Sequence, residues 1–410
     1  MAVKIIDGGI NAPEGFMAAG LRAGIKEGKT NKDMAMIYST VPATIAGTFT
    51  RNLVKAAPVK WDSKVVFEEG SAQAVVVNVA IANASTGAPG FKDAEDTAAY
   101  TAESLGLKKE NVLVASTGVI GFRLPMDKIK KGIDMLIPAL SYDRQAADDC
   151  ATAILTTDTH KKEIAVEFEI DGKKATIGAI CKGSGMIHPN MGTMLSFITT
   201  DVAIDRDLLQ KTLREVVSKT FNMVSVDGDT STNDTCIILA NGLLKNKKIE
   251  GESEDLEEFK AALYTACEYL AKNIAKDGEG ATRLFTAHVT GAPDYETARI
   301  LAKSIITSSL SKAAIFGRDA NCGRIMCAMG YSGAEFDPEK TDISFSSSEG
   351  VIQVVKDGMN TDFSEEEALK ILTPDEITAE CDIKSGSAEA TAWGCDLTYD
   401  YVKINADYRS

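Results

Sequence analysis

One run constrains this chain more than any other: Cys181-Lys-Gly-Ser-Gly-Met-Ile-His-Pro-Asn-Met-Gly-Thr-Met-Leu-Ser-Phe-Ile-Thr-Thr-Asp201. Glycines, a serine and a proline mark a turn. At Thr193 they give way to an apolar run that reads as a buried strand. Taken alone, this is a glycine-containing turn entering a sheet. It is also a setting in which a chain can cut itself. Breaking the Gly192–Thr193 bond would leave Thr193 with a hydroxyl and a free α-amine. Such an amine has a reference pKa of about 7.7–8.0, so it can act as a base near neutrality. A threonine activated by its own amine is a known nucleophile arrangement.

The rest of the composition says what the chain is not. Of 410 residues, 44 are Lys or Arg and 59 are Asp or Glu, a net charge of −15. A nucleic-acid binder would carry a basic footprint, so none is expected. No apolar run approaches the roughly 20 residues that span a bilayer, and MAVKIIDGGINAPEGF has no signal-peptide core. The expectation is a cytoplasmic protein without a membrane role. Its length suits two or three domain-sized units. The eight cysteines, Cys150, Cys181, Cys236, Cys267, Cys322, Cys327, Cys381 and Cys395, form no CxxC pair. In a cytosolic chain they read as reduced, buried thiols. The three histidines, His160, His188 and His288, are too scattered for a metal motif, and His188 reads as a structural residue shaping the turn at Pro189.

Helical and strand patterns alternate, which predicts an α/β or α+β body. Lys92–Leu105, Pro125–Leu140, Asp205–Phe221, Leu256–Ala275 and Glu296–Ser309 read as helices from their three- and four-residue apolar spacing. Asn111–Ser116 reads as a strand, and Glu163–Ile180 as a hairpin turning at Asp171-Gly172. Ile343–Ile352 and Ala379–Tyr401 read as strand-rich. The acidic stretch Glu250–Glu258 reads as a solvated loop and helix start. No internal repeat or long linker is present.

Lys182–Leu195 reads KGSGMIHPNMGTML. It resembles the ornithine acetyltransferase (glutamate N-acetyltransferase) family, whose usual motif is KGSGMIHPNMATML; here Gly192 replaces the alanine. The resemblance runs along the whole chain. It includes Ala46-Gly-Thr-Phe-Thr-Arg-Asn52, Lys55-Ala-Ala-Pro-Val59, Asp227-Gly-Asp-Thr-Ser-Thr-Asn-Asp234 and Gly317-Arg-Asp-Ala-Asn-Cys-Gly-Arg324. From residue type alone, most of these groups would cap helices or close turns.

The resemblance also assigns roles. Ala115-Ser-Thr-Gly-Val-Ile-Gly121 matches the family's oxyanion segment, implying Thr117 and Gly118 as donors. Lys182 is the candidate for a substrate carboxylate. Glu279, in Asp277-Gly-Glu-Gly-Ala-Thr-Arg283, is the candidate for a substrate amine, and its glycines place it in a turn. Thr156, in Ile154-Leu-Thr-Thr-Asp158, matches the substrate-binding threonine, with Thr157 an open alternative. The ending YVKINADYRS matches the family's YVKINADYRT. Asn405 and Ser410 would touch substrate there, with the tail folded into the site rather than frayed. Thr193 itself would bind substrate as well as react.

One departure stands out. The family's VVNSGNANACTG reads VVNVAIANASTG at Val76–Gly87, so Val79-Ala80-Ile81 replace a polar, glycine-bearing turn. Three apolar residues in a row predict that the preceding strand continues through them.

The resemblance implies a layered sandwich of two packed sheets with flanking helices, the fold of ornithine acetyltransferases and self-processing aminopeptidases. It implies an α fragment (1–192) and a β fragment (193–410) folded together, in an α2β2 assembly. The implied reaction moves acetyl from N2-acetylornithine to glutamate through acetyl-Thr193. Acetyl-CoA is an additional candidate donor, and no metal or organic cofactor is required. Two other readings remain: a self-processing aminopeptidase or amide hydrolase of the same fold, with water as acceptor, and a catalytically weakened binding homologue.

Overall fold

The computed structural model describes residues 3–26, 28–188 and 194–407. The described chain forms two compact units. The first is drawn from residues 1–183, 189–222 and 230–270, and the second from 184–188, 223–229 and 271–410. Each has its own sheet with helices beside it, so the mixed α/β class with two sheets holds.

The first unit carries nine strands: β1 (Lys4–Ile6), β2 (Phe16–Leu21), β3 (Met34–Phe49), β4 (Ser71–Asn78), β5 (Val112–Ser116), β6 (Lys162–Ile170), β7 (Lys173–Lys182), β8 (Leu195–Thr200) and β9 (Thr235–Ala240). Their order is β1-β6-β7-β8-β9-β3-β4-β5, with β2 also paired to β3. Every residue of β5, β8 and β9 is buried. A strand with no polar alternation is one covered on both faces. The expected hairpin is β6–β7. Asp171 and Gly172 both take positive φ, 53° and 67°, the pair that a two-residue hairpin turn requires. The apolar faces of α1 (Ala57–Lys64), α2 (Gly87–Leu105), α3 (Met126–Ala139), α4 (Arg144–Ala153) and α5 (Arg206–Lys219) cover the sheet. α1 and α2 pack on β5, α3 and α4 on β2, and α5 on β3. The α5 start is set by Asp205, whose carboxylate accepts from the N–H groups of Asp207 and Leu208. α6 (Glu254–Lys276) begins within the acidic stretch, as expected, with Glu254, Asp255 and Glu257 in its first turn.

The second unit holds six strands: β10 (Leu284–Ala292), β11 (Asp342–Ser347), β12 (Gly350–Lys356), β13 (Met359–Asn360), β14 (Glu376–Asp382) and β15 (Ala388–Cys395). They run in the order β13-β12-β11-β14-β10-β15. α7 (Tyr295–Thr307) buries Ala298, Leu301, Ile305 and Ile306 and packs on β10 and β15. α8 (Ser309–Gly317), α9 (Cys322–Gly330), α10 (Glu365–Ile371) and α11 (Tyr399–Ala406) complete the unit. Asn321, from the Gly317–Arg324 segment, caps α9 by accepting from Arg324 N–H. No single described helix is long and apolar enough to cross a membrane.

Two expectations fail, each for a local reason. β4 stops at Asn78 instead of continuing through Val79–Ile81. The Asn78 side chain donates to the Ile81 carbonyl at 3.0 Å, and Ala80 takes φ +82°, which turns the chain out of the extended path. The polar residue before the apolar triplet decides the geometry. At the C-terminus, Tyr399–Tyr401 is helical and not strand. Thr398 caps the turn by accepting from Tyr401 N–H, and α11 follows.

Candidate active site

Three of the sequence-derived site residues sit at strand ends of the first unit. Thr117 and Gly118 follow β5, and Lys182 closes β7. Thr117 N–H donates to the Asn78 carbonyl at 3.1 Å. Its Oγ1 accepts from Lys182 Nζ at 3.5 Å, so its own hydroxyl proton stays available for another acceptor. Gly118 lies at φ +128°. A Cβ there would fall 2.2 Å from the Ala80 carbonyl carbon, so only glycine fits. The 78–82 segment thus forms a wall behind Thr117 and Gly118. Val119 N–H donates to the Ala80 carbonyl at 3.0 Å, and Ser116 Oγ donates to Asn78 Oδ1 at 2.6 Å. Asn233, from the Asp227–Asp234 segment, clamps the same place by donating to the Ala82 and Ser116 carbonyls. The apolar triplet therefore keeps the turn that its residue types argue against.

Lys182 is buried, 8% exposed, and is no solvated surface charge. Beside it, the loop carrying Thr156 ends in Asp158. Asp158 Oδ1 accepts from Gly183 N–H at 2.7 Å and from Lys162 Nζ at 2.8 Å. Its Oδ2 accepts from Thr156 N–H at 3.1 Å. The Asp158 and Lys162 side chains are both fully buried. Burial works to raise the Asp158 carboxyl, but the Lys182 and Lys162 charges and the Gly183 N–H outweigh it and hold it well below the usual carboxylate range. A second carboxyl, Asp234, is 2% exposed. Burial pushes Asp234 well above the usual range, against the Thr50 hydroxyl, the Lys182 charge and the Met194 N–H.

Glu279 and Asn405 belong to the second unit, and there they meet. Glu279 lies in the expected glycine turn after α6, 7% exposed. Its N–H donates to the Ser184 carbonyl at 3.0 Å, and its Oε2 accepts from Asn405 Nδ2 at 2.8 Å. A Cβ on Gly185 would lie 2.2 Å from the Glu279 carboxyl, so the glycine makes room for it. The described tail is therefore not frayed: α11 brings Asn405 onto Glu279. Asp227 holds residues 186–187 by accepting from Met186 N–H at 2.6 Å and Ile187 N–H at 2.8 Å. The Tyr401 hydroxyl donates to Asp227 at 3.3 Å. His188 faces the Ser225 hydroxyl at 3.0 Å. Burial, then the Lys303 charge, depress its pKa to about 4, so it is neutral at working pH, which suits a structural role. Gly192, Thr193 and Ser410 lie outside the described residues.

The sequence reading passed over Asp158 and Asp227. The signal for Asp158 was present: an aspartate two residues after Thr156 invites a short side-chain-to-backbone turn, and Lys162 follows four residues on. All eight cysteines are free and all but Cys327 are buried, as expected. Among the described residues no group of three or more His, Cys, Asp or Glu side chains is placed to hold a metal.

A buried ammonium beside a threonine hydroxyl and a glycine turn can face a negatively charged group; a buried carboxylate held by an amide can face an amine. The ArgJ family model matches residues 17–410, and the chain belongs to the ArgJ family. It is thus an acyltransferase of arginine biosynthesis. It is 53% identical over 395 residues to arginine biosynthesis bifunctional protein ArgJ 1 of Clostridium acetobutylicum, covering 96% of each chain. It is 49% identical to the corresponding protein of Caldanaerobacter subterraneus subsp. tengcongensis, covering 100% of each. Among solved structures, it resembles ornithine acetyltransferase of Mycobacterium tuberculosis complexed with ornithine. That match has 37% identity and a TM-score of 0.43, and spans 47% of this chain and 100% of that one.

Proposed function

We propose that the chain transfers acetyl from N2-acetylornithine to glutamate, giving ornithine and N-acetylglutamate, after cutting itself between Gly192 and Thr193. The observation that carries this is the run Lys182–Leu195 in a chain that belongs to the ArgJ family over residues 17–410. Thr193 Oγ attacks the acetyl carbonyl and its α-amine takes the proton. Thr117 and Gly118 stabilise the oxyanion, ornithine leaves, and the glutamate amine then attacks the acetyl-threonine ester. Lys182 meets a substrate carboxylate, and Glu279, with Asn405, meets a substrate amine; Thr156 and Ser410 complete the contacts. Acetyl-CoA is a further candidate donor. We place the enzyme in the cytoplasm as an α2β2 assembly of cleaved chains. Because β8 pairs with both β7 and β9, a cut between β7 and β8 would leave both fragments in one sheet.

The KGSGMIHPN run and the NADYRS ending, both similar to the family's, support a transferase over a hydrolase. Steady-state rates at varied N2-acetylornithine and glutamate should give the parallel lines of a ping-pong mechanism. Release of acetate at the full rate without glutamate would instead identify an amide hydrolase. Absence of both self-cleavage and turnover in the pure protein would identify a weakened homologue.

A further inference from the structure

Asp158 carries more than a single ion pair. Its two oxygens bind three separate parts of the first unit: the N–H of Thr156, the N–H of Gly183 next to Lys182, and the ammonium of Lys162. Lys162 faces Cys181 across the β6–β7 ladder, and its Nζ also reaches the His160 carbonyl. The loop before β6 is thereby tied down over the end of β7, where Lys182 sits. One buried carboxylate faces two buried ammoniums. Lys162 is paired with it directly, while Lys182 reaches onward to Thr117. A carboxylate arriving at Lys182 would add a second counter-charge to this group.

We propose that Asp158 is the positioning residue of the carboxylate-binding group, fixing Thr156 and Lys182 relative to each other so that both engage the carboxylate common to the acetyl donor and acceptor. This rests on the reading of Lys182 as the carboxylate ligand. Asp158 would act through Lys182 and Thr156 without touching substrate. Its loss would weaken capture of both amino acids and leave the chemical step largely intact.

A double-mutant cycle on the full-length enzyme tests this. Asp158→Asn should lower kcat/KM for N2-acetylornithine and for glutamate by about ten- to a hundredfold, the scale of a charge-assisted hydrogen bond, with kcat within about threefold of the parent. Lys182→Met should do the same. In the Lys182→Met background, adding Asp158→Asn should cost less than about threefold more. If the Asp158→Asn protein does not fold, Lys162→Met/Asp158→Asn removes both buried charges and enters the cycle in its place. Additive losses, or a fall in kcat with unchanged kcat/KM, would overturn the role of Asp158. A Lys182→Met enzyme with parental kcat/KM would instead overturn the carboxylate reading on which it rests.

Discussion

The Lys182 group and the Glu279 group both keep a charge out of water, and they do it by opposite means. Around Lys182 the compensation is ionic: Asp158 and Lys162 are fully buried, and each depends on the other. Around Glu279 it is neutral: an amide from Asn405 and a glycine that leaves room. Removing one partner from a buried ion pair strands a charge, whereas removing one amide from a carboxylate strands far less. The first group should therefore be fragile to single substitutions and robust to paired ones. The second should lose function before it loses stability.

The largest effect should come from Asp158→Asn, which takes the buried carboxylate away from the Lys162 ammonium. Urea unfolding should show a loss of about 3–5 kcal/mol, and Lys162→Met/Asp158→Asn should recover most of it. If the pair is no more stable than the single variant, the ionic account of this group is wrong. Asn405→Ala should cost only about 1 kcal/mol of stability, yet lower kcat/KM about tenfold, because Glu279 loses the donor that orients it. A Glu279 group as sensitive in folding as the Lys182 group would erase the contrast.

A smaller effect bears on the wall behind Thr117. Ala80 adopts a left-handed backbone that disfavours a side chain by about 1–2 kcal/mol; glycine gives back part of this through the unfolded chain. Ala80→Gly should raise stability by about 0.5–1 kcal/mol with the thermal midpoint as readout. A destabilised variant would contradict the turn at Asn78. The smallest effect is in acid. His188 has a folded pKa of about 4, below the ordinary value of about 6.5, so between these values the unfolded chain binds more protons. Its contribution is present above about pH 6.5 and is lost as pH falls toward 4. Asp158, held below its usual range, keeps its contribution until pH drops below about 3.9. His188→Gln should flatten the stability slope between pH 6.5 and 4 and leave the steeper loss at lower pH. An unchanged slope would remove His188 from this account.

Much of the fold was legible because long periodic segments declare themselves. α5, α6, α7 and the β6–β7 hairpin fall within a residue or two of the expected limits, since caps such as Asp205 and the Asp171-Gly172 turn are local signals. Val79–Ile81 misled because apolarity alone says strand, while the turn is enforced by one side-chain hydrogen bond from Asn78. Thr117, Lys182, Glu279 and Asn405 are singled out by their motifs. Their burial, and the meeting of Asn405 with Glu279, depend on packing that sequence spacing does not encode. Asp158 escaped notice because its importance lies in partners at 156, 162 and 183, which only the loop over β7 brings together.

Intact mass measurement tests the central claim most directly. The purified protein should appear as two pieces, residues 1–192 and 193–410, and Thr193→Ala should remain one chain. Incubation with N2-acetylornithine and no glutamate should add one acetyl group to the piece that begins at Thr193, and glutamate should remove it. A parent chain that stays whole, or a cleaved one that turns over without ever carrying acetyl on that piece, would contradict the account.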